Sequence, residues 1–91
     1  MQRNEVIQHL QSYIVNKVLD GKNIGLDETT PLLEWGIINS LEIVRLLGFI
    51  RKQFDIDIAI YQITAENFVN IGVIADMVIS NERVGSMTAG D

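Results

Sequence analysis

The stretch TPLLEWGIINSLEIVRLL, Thr30 to Leu47, decides how this chain folds. Its first half is apolar but irregular, broken by Pro31 and Gly36, and its second half switches to helical spacing. At the junction stands a polar pair, Asn39-Ser40. Asn is a favoured N-cap residue, and Glu42 three positions on completes a capping-box pattern, so a helix starts here. Ser40 then falls on the first helical turn, beside unpaired N–H donors and the positive end of the helix dipole. An anion attached to its hydroxyl would be stabilised there, and phosphate is the obvious candidate.

Working outward, the second helix is expected from Ser40 to about Gln53, with Leu41, Val44, Leu47 and Ile50 at helical spacing, Ile43 and Leu46 widening the stripe, and Phe54 closing the end. Glu42, Arg45, Arg51 and Lys52 give it one acid against three bases. Before it, Asn4 to Leu19 reads as the first helix, capped by Asn4, with Ile7, Leu10, Ile14 and Val18 on one face. His9 and Ser12 are read as polar residues on its solvated side. A single histidine makes an imidazole metal site improbable. The helix stops near Gly21, and the connection from there to Ser40 is nearly twenty residues long. Leu26, Leu32, Leu33, Trp35, Ile37 and Ile38 can anchor that loop, with Trp35 covering the edge of a small core. Gly36 is a candidate for a positive φ.

After the second helix, Asp55-Ile56-Asp57-Ile58-Ala59-Ile60 alternates, but with no strand to pair with it is read as an extended connector. Thr64 caps a short helix to about Phe68, and Asn70 caps a last helix on Ile71, Ile74, Ala75 and Val78. Tyr61, Ile63 and Phe68 are assigned to the core. The expected fold is all-α, a small four-helix bundle of three main helices and one short one, with a long loop between the first two. Residues 1–81 form the domain and residues 82–91 a frayed tail.

The chain has 91 residues, 47% of them hydrophobic, and no cysteine. It can bury only about 60–65% of its unfolded surface, enough for one modest core. Any thiol must come from a cofactor. A net charge of -5 argues against nucleic-acid partners, which need Lys and Arg on phosphates. No apolar run is long enough for a membrane span, and a cytoplasmic monomer is expected.

The run Leu33-Glu34-Trp35-Gly36-Ile37-Ile38-Asn39-Ser40-Leu41, followed by an amphipathic helix and Phe54-Asp55-Ile56-Asp57-Ile58, resembles the 4′-phosphopantetheine attachment region of acyl and peptidyl carrier proteins. Ile63-Thr64-Ala65-Glu66-Asn67-Phe68 resembles their short third helix, and the likeness covers roughly residues 4–80. It implies a freestanding carrier, not an enzyme, with a phosphopantetheinyl transferase attaching the arm to Ser40. It departs from the family in having Asn39 where Asp is usual, and in a second helix that is not acidic. Asn39 beside the arm, and Trp35, Ile38, Leu41, Glu42 and Arg45 as partner contacts, are the implied site residues. TPLLEWGIINSL is further similar to small carriers that hold a prolyl thioester while a flavin-dependent dehydrogenase oxidises it to a pyrrolyl group, a proline-specific adenylating ligase having loaded it. The alternatives are a fatty or polyketide acyl cargo, or an unmodified helical adaptor that binds a partner through the second helix. A hydrolase using Ser40 lacks a G-x-S-x-G elbow and any base but His9.

Overall fold

The computed structural model describes residues 2–22 and 24–89. Helix α1 spans Arg3–Tyr13 and continues as a π-helical turn, Ile14–Val18. The wide turn closes with Leu19 N–H donating to Ile14 O at 3.0 Å and Gly21 N–H to Val15 O at 2.7 Å. Helix α2 is Ser40–Phe54 and helix α3 is Ile71–Ala89, with two 3₁₀ turns between them at Ile60–Gln62 and Ala65–Phe68. No strand occurs among the described residues; Asp55 caps the end of α2 in the left-handed conformation, φ +58°, and residues 56–59 are a connector without regular structure. The chain is the small all-helical bundle anticipated, its short third helix a 3₁₀ turn.

Three details differ from the sequence reading. Helix α1 begins one residue before Asn4, with Gln2 at the cap position and no side-chain cap, so Asn4 lies inside the first turn. Helix α3 continues past Asn81 to Ala89, beyond the end of its apolar period; residues 90 and 91, the end of the expected tail, lie outside the described residues. The buried face of α2 also differs. Leu46 and Ile50 are buried and Ile43, Leu47, Phe49 and Phe54 pack against the core, while Leu41 and Val44 stand exposed. The helix is apolar around so much of its girth that spacing alone does not choose the face.

The core joins Val6 and Leu10 of α1, Ile14 of its π-helical extension, Leu46 and Ile50 of α2, and Ile71, Ile74 and Val78 of α3 around Phe68, all almost fully buried. Burying side chains of this kind stabilises by about 1.5–3 kcal/mol each. The long loop is packed rather than loose. Leu26, Leu32 and Ile38 enter the core, and the backbone is pinned at both sides: Gln11 Nε2 donates to Leu26 O at 2.7 Å, Leu32 N–H to Val69 O at 2.8 Å, and Gly72 N–H to Glu28 O at 2.9 Å. Arg3 adds exposed ion pairs to Asp76 at 2.8 Å and Glu28 at 3.5 Å, worth little singly. Within the loop, Asp27 Oδ1 accepts from Thr29 N–H and Thr29 Oγ1, both at 2.8 Å. These bonds, the Thr29 hydroxyl first, hold the Asp27 carboxyl below the usual aspartate range.

Candidate functional site

Ser40 is delivered to its position by a turn and a cap. From Pro31 the loop makes one helical turn, with Trp35 N–H donating to Pro31 O at 3.0 Å. Gly36 N–H donates to Leu33 O at 3.1 Å and Ile37 N–H to Leu32 O at 2.8 Å. This pair of bonds with a left-handed residue at Gly36, φ +71°, is a Schellman ending. The chain leaves it with Ile38 driven into the core, 3% exposed. Asn39 is extended, and its Oδ1 accepts from Glu42 N–H at 3.0 Å, capping α2. The Glu42 carboxylate lies 3.5 Å from Arg45 Nη1; the reciprocal half of a capping box, Glu42 bonded back to the Asn39 N–H, is not found among the described residues.

Ser40 itself is exposed and is the first residue of α2. It stands at the positive end of a 15-residue helix, where negative charge is favoured by about 0.3–1 kcal/mol. Asn39 contributes a cap without adding a carboxylate beside that point. Ser40 also edges an apolar groove of about 420 Å³ floored by Leu33, Ile43, Val44, Ile63 and Ala65.

The other sequence-derived site residues divide. Trp35, Leu41 and Arg45 are exposed, Trp35 by 61% and Leu41 by 57%, and Glu42 is half-buried. Trp35 thus does not cover the core edge: the Schellman turn carries it outward while Leu32 and Ile38 point in. Ile38, placed among the partner contacts, is unavailable to a partner because it is core. Tyr61 and Ile63, assigned to the core, are 81% and 37% exposed, since the 3₁₀ turn at Ile60–Gln62 lies outside the layer that Phe68 fills. Val44 and Ile63 join the site unannounced. The available signal for Val44 was that α2 carries more apolar positions than one buried face can use. Among the described residues no cluster of His, Asp and Glu is placed to hold a metal ion, and no helix is long and apolar enough to cross a membrane.

A helical bundle presenting an exposed serine at a capped helix start, beside an apolar groove, is the architecture of a carrier domain. Residues 14–78 match the family described as "Phosphopantetheine attachment site". The chain is also 36% identical over 62 residues to the probable acyl carrier protein PigG of Serratia sp. (strain ATCC 39006), covering 68% of this chain and 71% of that protein. A solved structure described as "Crystal structure of FAD-dependent dehydrogenase" contains a chain 38% identical to this one at a TM-score of 0.71, covering 76% of this chain and 97% of that one. The chain belongs to the phosphopantetheine-binding carrier family. It is a non-catalytic carrier whose 4′-phosphopantetheine is borne covalently on a serine. The residues fit that group: the arm supplies the thiol that a cysteine-free chain lacks, and an exposed hydroxyl at a helix N-terminus accommodates its phosphate.

Proposed function

We propose that Ser40 is the attachment point, and that the cargo is an aminoacyl group, prolyl becoming pyrrolyl. The observation that carries the first part is simple. The serines of the chain are Ser12, Ser40, Ser80 and Ser86, and Ser40 is the one within the matched residues 14–78. It is also exposed at the start of α2, whereas Ser12 lies within α1. Asn39 holds the helix start open by occupying the Glu42 N–H, leaving the Ser40 hydroxyl outward for a phosphopantetheinyl transferase. Trp35, Leu41, Val44 and Ile63 form the surrounding apolar contacts for the enzymes that load and use the carrier, with Glu42 and Arg45 at the edge.

Support for the prolyl reading is the likeness of TPLLEWGIINSL to prolyl carriers and the structure named for an FAD-dependent dehydrogenase. Since 76% of these 91 residues match 97% of the chain in that structure, that chain is only about 70 residues long, the size of a carrier. An adenylating ligase specific for proline and a flavin-dependent acyl dehydrogenase are the partners this reading requires. A second reading, an acyl cargo, is favoured by the likeness to the probable acyl carrier protein of Serratia and by the apolar groove beside Ser40.

The test has two stages. Incubation with coenzyme A, magnesium and a broad-specificity transferase adds the mass of one arm to the wild-type chain and none to Ser40→Ala; equal gain in both removes Ser40 from the role. The loaded form is then offered proline and a panel of amino acids with purified adenylating ligases. Proline loading followed by a four-hydrogen mass loss with the dehydrogenase supports the pyrrolyl cargo, and failure with every amino acid moves the assignment to acyl groups.

A further inference from the structure

A second cleft, of about 480 Å³, lies between α1 and α2 away from Ser40. The two helices run antiparallel along it: His9 meets Phe54 edge-on at 5.7 Å and Tyr13 stacks on Phe49 at 4.4 Å. This pairing places Lys17 and Arg45 at one end of the cleft and Lys52 at the other, with the Tyr13–Phe49 stack and Gly48 between. Arg45 and Lys52 are two helical turns apart, about 10 Å. The chain carries 12 acids against 7 Lys and Arg, yet three of those seven line this cleft and no Asp or Glu does. Arg45 shares its charge with nearby Glu42, but Lys17 and Lys52 are in no ion pair among the described residues.

Gly48 is the second observation. It sits inside α2, where glycine is less favourable than alanine by about 1 kcal/mol. Its φ is ordinary, and a Cβ built on it would meet nothing within 4 Å. Neither the backbone nor the packing of this chain accounts for a glycine there. What it does is leave the middle of the cleft bare.

We propose that this cleft seats an acidic amphipathic helix of a partner protein. Carboxylates at positions i and i+7 of that helix meet the two basic ends, and an apolar side chain at i+3 or i+4 enters over Gly48 against Tyr13 and Phe49. A single phosphate spans one end only, whereas two positive ends about 10 Å apart with an aromatic centre match two turns of one helix face. A third helix laid into the groove of two others follows ordinary ridge-and-groove packing. At 3.6 residues per turn, the cleft face of α2 points roughly 150° away from the Ser40 groove, so both surfaces can be engaged at once, with Arg45 at the border between them. The seat is therefore independent of the arm.

The test titrates the ¹⁵N-labelled chain, and its Ser40→Ala form, with an amidated Ala-rich helical peptide of about four turns carrying Glu at i and i+7 and Leu at i+3 and i+4. Saturable shifts confined to residues 9–17 and 45–53 in both forms are expected. A peptide with Lys in place of Glu should give none, and Lys17→Glu with Lys52→Glu should weaken binding at least tenfold. Gly48→Leu should abolish binding while keeping or raising Tm, because it removes a helix-interior glycine, so loss of binding cannot be loss of fold. Absence of shifts, shifts centred on Val44 and Ile63, an equal response to the Lys peptide, or the same shifts with inorganic phosphate alone would each overturn the proposal.

Discussion

Replacing Gly36 with alanine tests the turn that delivers Ser40. Gly36 sits at φ +71°, where the Cβ of an L-residue crowds the following carbonyl at a cost of roughly 1–2 kcal/mol. An added Cβ meets no other atom within 4 Å, so the dihedral is the whole of the penalty. Alanine also narrows the unfolded ensemble, which offsets about 0.4–1 kcal/mol. The net loss is about 1 kcal/mol, equivalent to a Tm lower by about 4–8 °C in a domain of this size. Gly36→Asn should lose less, because Asn tolerates the left-handed region. Urea unfolding followed by circular dichroism measures it, and the slope with denaturant should not change, since no new surface is exposed. A Gly36→Ala chain as stable as the wild type would refute the need for a left-handed residue. A loss above about 3 kcal/mol would refute the claim that the added methyl group stands in open space.

Asn39→Ala removes the acceptor of the Glu42 N–H and should cost about 1 kcal/mol, while Asn39→Asp, an equally good cap better matched to the dipole, should recover it; parallel thermal unfolding of the three chains compares them. Phe68→Ala empties the centre of the core and should cost about 3–5 kcal/mol, a large part of a small domain's total, visible as lost dispersion in the amide spectrum. The Asp27 carboxyl is held below its ordinary range by the Thr29 and Thr30 bonds. Its contribution is present above the unfolded pKa and is lost as pH falls through the folded one, from about pH 4 downward. Asp27→Asn should therefore flatten the fall in stability on that acid side and leave the neutral-pH slope unchanged, as acid titrations of the two chains would record.

The elements of the fold were legible because their boundaries are chemical. Asn39, Thr64 and Asn70 each cap the turn that follows them, with Glu42, Asn67 and Val73 N–H as donors, and small polar side chains before an apolar period carry that information locally. The direction in which each apolar side chain faces was not local. Tyr61 and Ile63 read as core, Trp35 as core edge as well as partner contact, and Val44 as part of an apolar stripe, yet all four are exposed, as is Leu41, whose place among the partner contacts suits that. Hydrophobicity says what a residue would gain from burial, not whether room exists, and a chain this short has one centre, filled by Phe68 and the inner faces of three helices. Part of the surplus gathers near Ser40, while Ile24, Ile60, Tyr61 and Val69 are exposed outside the groove lining. Val44 and Ile63 line the groove that Ser40 edges, Leu41 follows Ser40 in the chain, and Trp35 projects from the turn that leads to it. A carrier that is met in turn by several enzymes needs apolar surface left unburied around its one reactive position, and an exposed patch of this kind is the ordinary mark of such contacts. Trp35, Val44 and Ile63 therefore fall where folding and function make opposite demands on the same residues.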